Sequence, residues 1–468
     1  MTNQQPNILF IVTDHQRADS LGMVQCGIEV TPNLNRLAAQ GTVFTRAYNV
    51  SPICVPARTA LATGIYPTAN GVVFNDWRGQ RAGDHKPIHQ YLSEAGYDVA
   101  HIGIDHIKVN PPIRERVPFV KWVDNDDYAR YLAEQGIDDT PPEGTATYKR
   151  RVLERHGETN NERHYSNTAV GDWPYPHEHF KDSYFCQEAI DFLESRTDAQ
   201  REHPFALFLY LWAPHPPLRV PEPFASRFDP DDITLPANIN KPANGEPANR
   251  RDGVPAQLAA DVSEEQWRRV WAVHLGLVNM ADAWIGRVLD SLSSTGLDTN
   301  TVTAFMSDHG DHLGQHGMYQ KMEMYEQAVR VPMIFRSMTG DGQAVDTPVS
   351  HLDVMPTLLD FVGIAQPDNL DGHSLYPTIT QGTSLPARPI FCQYSGNPTV
   401  GDIRRAVITE QYKYIYDPDD VPELYDLVND PLEMQNLAAE EQLSGIVSQL
   451  HLLLQLWAKT HDDWVDYE

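Results

Sequence analysis

The sequence predicts an α/β protein: a large, mainly parallel sheet flanked by helices, followed by a smaller C-terminal α+β unit. Three observations carry this expectation. Fully apolar runs recur, among them NILFIVT (7–13), FALFLYL (205–211) and VTAFM (302–306). Runs without polar alternation are strands buried on both faces. Segments of helical period lie between them, the alternation of a sheet covered by helices. Finally, aspartates and histidines stand directly after the runs, where open parallel sheets place their ligands.

The elements follow in order. Strand 7–13 is succeeded by TPNLNRLAAQG, in which Thr31 suits a cap, Pro32 the first helical position and Gly41 the stop. PIHQYLSEAG (87–96) reads as helix and VAHIGI (99–104) as strand. Residues 110–180 are polar and rich in Pro, Asp, Arg and His, so an irregular excursion over the surface is expected there. Ser263 and Gln266 have the spacing of a capping box. They open a long amphipathic helix in which Trp267, Val270, Trp271, Val278, Ile285, Val288, Leu289 and Leu292 share a face, and Gly296 ends it. VTAFM and VPMIF (331–335) resume the strand pattern. Past about residue 370 the texture changes to short strands, YKYIY (412–416) and ELYDL (423–427), and a Leu-rich terminal helix. The expected division is a catalytic unit over 1–370 and a subdomain over 371–468 with a small antiparallel sheet.

Composition bounds the function. Lys and Arg total 36 against 64 Asp and Glu, a net charge of −28, which repels nucleic acid. Screening confines that repulsion to about 10 Å, so a local basic pocket can still take a small anion. No apolar run reaches membrane-spanning length, and MTNQQPNILFIVTD has no basic leader. The expectation is a cytoplasmic protein with neither membrane nor nucleic-acid partner. The four cysteines, Cys26, Cys54, Cys186 and Cys392, are far apart, which excludes a CxxC redox motif or zinc ribbon and argues against a disulfide framework. Cys186 and Cys392 lie in core-like patterns.

Asp14-His15 and Asp308-His309 each close an apolar run. Carboxylate and imidazole donors from two strand ends can converge on one divalent cation. Cys54 lies in CVPARTALATG, where a helix begins. A lone thiol there reads as an inert core cysteine or a nucleophile.

The C-x-P-x-R pattern followed by Thr-Gly resembles the signature of the type I sulfatases, in the alkaline-phosphatase-like superfamily. The resemblance extends through GIYPTANGV, APHPP, SDHGDHLGQHGMYQKMEMYEQAVRVPMIF, HLDVMPTLLDFVGI and ELYDLVNDPLEMQNLA. It implies that Cys54 is oxidised to formylglycine by a formylglycine-generating enzyme. The aldehyde hydrate would attack the ester sulfur and release the alcohol, and the re-formed aldehyde would release sulfate. Arg58 would hold the nucleophile, His215 would protonate the leaving oxygen, and Lys321 would grip a nonbridging oxygen. Asp14, His15, Asp308 and His309, with position 54, would bind the cation. Calcium is what the resemblance implies, while the imidazoles leave Mn2+, Mg2+ or Zn2+ open. His15 stands where acid or amide is usual in the family. Asn75 falls at a substrate-facing position, and Asp311, His312 and His316 read as groups shaping the loop.

One departure concerns the family's Gly-Lys-x-His. Here the segment is Gly103-Ile104-Asp105-His106: the histidine is kept, available to assist sulfate elimination, and the lysine is replaced by an apolar residue. That substitution is similar to the related phosphonate monoester and phosphodiester hydrolases. Sulfate ester hydrolysis is therefore the expected activity, on sugar, aryl or alkyl sulfates. Phosphorus ester hydrolysis is the alternative, and an inactive sulfate-ester-binding relative a third reading. The acidic surface favours a small or terminal ester over the interior of a polyanionic glycan.

Overall fold

The computed structural model describes residues 5–76, 81–83, 85–196, 203–338 and 342–467. Its centre is an eight-stranded sheet, in the order Gln343–Val345, Thr42–Phe44, Met333–Arg336, Thr301–Ser307, Asn7–Thr13, Phe205–Tyr210, Asp98–Gly103 and Lys121–Val123. Asn7–Thr13 lies parallel between two neighbours, with Ile11 opposite both Leu209 and Phe305. Met333–Arg336 runs antiparallel to the strands on either side of it. The apolar run at 331–335 thus divides: Val331 joins a separate small sheet, and the strand from Met333 turns back into the main one.

Both faces of the sheet are buried, which is why its strands lack polar alternation. Leu9, Ile11, Leu207, Leu209 and Phe305 pack into one apolar layer with Trp267, Trp271 and Ile285 of the long helix Glu264–Ser294. Ile8, Phe10, Val12, Phe208 and Met306 face the opposite layer, with Val55 and Leu61 of helix Cys54–Thr63. Each such side chain contributes about 1.5–3 kcal/mol by burial.

The capping box forms: Ser263 Oγ accepts from Gln266 N–H, and Gln266 Oε1 accepts from Ser263 N–H. Thr31 does not cap its helix. Its hydroxyl donates to Ser20 O, and the N–H groups of Asn33 and Leu34 donate to Asp282 on the long helix. Residues 110–180 are more regular than their composition predicts. They include the edge strand Lys121–Val123, helix Asn125–Gln135 and an antiparallel hairpin of Lys149–His156 with Thr159–Ser166. Toward the C-terminus, Ile390–Tyr394, Arg404–Ile408, Tyr412–Tyr416 and Glu423–Asp426 form a four-stranded antiparallel sheet, against which helix Ser444–Thr460 packs. No described helix is long and apolar enough to cross a membrane.

Candidate active site

The chemically loaded residues meet at the carboxyl ends of the central strands. Asp14 and His15 follow Asn7–Thr13, Asp308 and His309 follow Thr301–Ser307, His215 follows Phe205–Tyr210, and His106 follows Asp98–Gly103. Cys54 is the first residue of a helix buried throughout its length. A helix N-terminus carries partial positive charge, which favours anionic character at position 54. Ile53, the residue before it, supplies no side-chain cap. Asn75 does so from a distance, its Oδ1 accepting from Val55 N–H at 3.0 Å. Gly64 ends the helix at φ 70°, and a Cβ there would come within 2.6 Å of the Leu370 side chain.

Arg58, one turn into this helix, ties the two strand ends together. Its Nε donates to Asp308 Oδ2 at 2.8 Å and its Nη2 to Asp14 Oδ2 at 2.9 Å. Lys321 Nζ lies 2.7 Å from Cys54 Sγ and 2.9 Å from His309 Nε2. His309 Nε2 is 3.4 Å from the same sulfur and 3.6 Å from Oδ1 of both Asp14 and Asp308. His15 Nδ1 contacts Asp311 Oδ2 at 2.8 Å, which turns Nε2 toward Asp14 Oδ1 at 3.8 Å. That Nε2 is buried without a hydrogen-bond partner. His15, Gln320 and Met322 have φ of 64°, 67° and 81°, so the backbone is left-handed at His15 and on either side of Lys321.

Electrostatics follow from burial. Burial, reinforced by the Asp308 charge, pushes the Asp14 carboxyl up to about 7. Burial works the same way on Asp308, but the neighbouring His309 ring and the positive charges of Arg58 and Lys321 overcome it and hold that carboxyl below its ordinary value. Burial and the Asp14 charge push the Cys54 thiol up to about 12, so an unmodified thiol stays protonated. Burial lowers His309 to about 3 and His15 and His215 well below 6.5, leaving neutral imidazoles with lone pairs available to a metal.

Asp14, Cys54, Asp308 and His309 place one potential ligand atom each within 4.8 Å of one another, and Asp14, His15 and His215 form an overlapping trio. Two carboxylates, neutral imidazoles and the partnerless His15 Nε2 fit a divalent cation. His106 is buried and feels the charges of Arg58, Asp308 and Lys321. Asn75 N–H also donates to Asn397 O. Ile104 is 1% exposed within the apolar layer below the site. Asp311 does shape the loop: besides holding His15, its Oδ1 accepts from Leu313 and Gln320 N–H. His312 and His316 are buried near it, and His316 stacks on Tyr325.

Residues 6–364 match the sulfatase family model. The chain belongs to the sulfatase family. Residues 314–460 also match the model for the C-terminal region of N-sulphoglucosamine sulphohydrolase. The chain is 29% identical to an arylsulfatase of Clostridium perfringens, covering 96% of this chain and 94% of that protein. It is 27% identical to the uncharacterized sulfatase YidJ of Escherichia coli, covering 99% and 90%. A phosphonate monoester hydrolase from Silicibacter pomeroyi superposes with TM-score 0.78 at 24% identity, covering 98% of this chain and 96% of that one. It shares the alkaline-phosphatase-like fold. Membership supports sulfuric ester hydrolase activity for this sulfatase-family chain.

Two groups beside His215 carried no signal in the sequence. Asp182 accepts main-chain bonds from Trp212 and Ala213, and the Trp212 ring lies 3.9 Å from that of His215. Asp182 sits in KDSYFCQEAIDFLE, whose pattern says only that a helix is present.

Proposed function

We propose that this enzyme cleaves the sulfate ester of a small or chain-terminal alcohol, with position 54 matured to formylglycine and a divalent cation in the site. One observation carries the proposal. Cys54 heads a buried helix with its sulfur 2.7 Å from Lys321 Nζ, inside the cluster formed with Asp14, Asp308 and His309. In this reading Asp14, Asp308, His309 and His15 hold the cation together with the group at position 54. When present, the cation supplies Lewis acidity and formylglycine supplies a geminal diol as nucleophile.

The chain's own residues do the rest. Arg58 fixes the Oδ2 atoms of Asp14 and Asp308, and Asp14 Oδ1 is left facing Cys54 Sγ at 3.9 Å and His309 Nε2 at 3.6 Å. Lys321 offers N–H bonds to a nonbridging sulfate oxygen. His215 gives a proton to the leaving alcohol oxygen, and His106 assists release of sulfate. Asn75 secures the start of the helix and faces substrate with the rest of its amide. Two carboxylates suit calcium, while imidazole donors move the preference toward manganese or zinc. Reconstitution of metal-stripped protein, one cation at a time, identifies the ion by recovered activity.

Burial of Ile104 favours one second reading, hydrolysis of phosphonate monoesters or phosphodiesters, because position 104 itself brings no ammonium where the family's lysine would meet sulfate. Protein co-produced with a formylglycine-generating enzyme should show the mass of formylglycine in the Cys54 peptide. It should turn over aryl sulfate faster than matched aryl phosphodiester and phosphonate. Turnover of the phosphorus esters alone would replace the first reading by the second, and an unmodified, inactive protein would remove both.

A further inference from the structure

His215 reaches the site from the turn between strands Phe205–Tyr210 and Leu218–Val220. Its N–H donates to Trp212 O at 2.9 Å, and its Nδ1 lies 2.5 Å from Pro216 O, which leaves Nε2 as the free end of the ring. The ring stands 4.4 Å from that of His15 and 3.9 Å from that of Trp212. What holds the turn is a carboxylate from another element. Asp182, at the start of helix Lys181–Glu194, is completely buried. Its Oδ1 accepts from Trp212 N–H at 2.7 Å and its Oδ2 from Ala213 N–H at 2.6 Å.

Burying a carboxylate is expensive, and this one spends both oxygens on main-chain groups of a single turn. Short bonds from N–H to a charged acceptor are about twice as strong as neutral ones. Two of them on successive residues fix the position and the tilt of that backbone. The neighbouring Lys181 places its ammonium 4.8 Å from the Trp212 ring, so that ring is held through its side chain as well as its main chain. The Trp212 ring in turn backs the imidazole of His215.

We infer that Asp182 is a positioning residue for the leaving-group step: with Trp212 it aims His215 Nε2 at the ester oxygen that departs. This rests on the reading of His215 as the group that protonates that oxygen. As the S–O bond breaks, its electron pair stays on the alcohol oxygen; the ring, which has taken a proton on Nε2 from solvent while its Nδ1–H donates to Pro216 O, gives that proton to the oxygen and returns to the neutral form. The demand for that proton depends on the alcohol. An acidic phenol departs without help, and a weakly acidic one does not. Misaiming His215 therefore costs little with good leaving groups and much with poor ones, whereas general loosening of the protein costs the same with all.

The test is a series of aryl sulfates and aryl phosphonates whose phenols span a wide range of acidity, measured with wild type, Asp182→Asn and His215→Ala. Asparagine retains the size of the side chain, but its amide turns an N–H toward one of the two N–H donors. We expect kcat for Asp182→Asn to fall at least tenfold more with the poorest leaving group than with the best, in the same sense as His215→Ala and to a smaller extent. Trp212→Leu, which removes the ring and keeps the turn, should steepen the dependence as well, and it decides the matter if Asp182→Asn does not fold. Equal losses across the series, or none, would overturn the inference even with an active wild type. A wild type inactive on both series would instead defeat the hydrolase reading and this inference with it. A wild-type dependence already as steep as that of His215→Ala would remove the premise about His215.

Discussion

Two buried clusters of paired acids and bases, which approach each other in the sequence between Lys321 and Tyr325, are built to different ends. At the junction with the C-terminal sheet, Arg250 donates to Glu423 and, at 2.8 Å, to Asp417. The hydroxyls of Tyr325 and Tyr425 close the other oxygen of Glu423, and Lys413 bridges Glu326 and Glu433. Glu423 has no acceptor capacity left over. In the candidate site, Arg58 also pairs with two carboxylates, but it takes only their Oδ2 atoms. Asp14 Oδ1, His309 Nε2, the partnerless His15 Nε2 and position 54 are turned toward shared space. A carboxylate such as Glu423, with both oxygens taken, fixes a junction; an oxygen and ring nitrogens left facing shared space are prepared to bind.

That comparison can be broken. Cys54→Ala should lower turnover by at least about 10⁴-fold, because the nucleophile is removed, while the denaturation midpoint stays near wild type. An unchanged rate would show that position 54 is not the reacting group. Chelation should abolish turnover and lower the thermal midpoint, with both restored by the ion held at a hundredfold excess over its Kd, worth about 2.7 kcal/mol. Loss of activity without a change in midpoint would place the ion outside a built site.

Arg250→Ala should act the opposite way to Cys54→Ala. It leaves the buried Glu423 with two tyrosine hydroxyls and no cation in hydrogen-bond contact, while Asp417 keeps Arg404 at 3.1 Å, at a cost of about 3–5 kcal/mol read from denaturant unfolding, with kcat little changed in the protein that folds. A stability loss under about 1 kcal/mol would show that Arg250 does not carry the junction. Ile104→Lys tests the floor of the site. Restoring the cation should raise the ratio of sulfatase to phosphodiesterase kcat/KM by about tenfold, near 1.4 kcal/mol, and a fall in that ratio would mean that the buried pocket cannot present the ammonium to substrate.

A further effect concerns pH. Burial raises the Glu246 carboxyl to about 7 against an ordinary 4.5, despite its pairing with Arg251. The native state then binds more protons than the unfolded chain between those values, so this group's contribution to stability falls as pH rises from about 4.5 to 7, by at most about 1.4 kcal/mol per unit. Glu246→Gln should flatten that part of the stability profile; an unaltered profile would show that Arg251 holds the carboxylate ionised throughout.

Much of the site was legible in the sequence, for a local reason. Asp14, His15, Asp308 and His309 each follow a run whose lack of polar residues marks a buried strand, and the spacing around Cys54 and Arg58 is itself a pattern. The capping box at Ser263 was legible too, because both partners lie within one turn. The misses were contacts made across the chain. Asp282 caps the helix expected to use Thr31, although the two lie 251 positions apart in the numbering. Asn75 caps the Cys54 helix, Asp182 grips the turn before His215, and the hairpin at 149–166 emerged from a segment whose composition gave no strand period.

The order of apolar runs and helical periods determined the layered α/β architecture and which strand ends carry chemistry, since the periodicity of burial is written into consecutive residues. Only the tertiary structure decided that Met333–Arg336 turns back antiparallel, that Arg58 spends two N–H groups on different strands, and that Lys321 meets Cys54. Those outcomes depend on the directions in which distant side chains point once the layers have packed, and no local spacing encodes a direction in space.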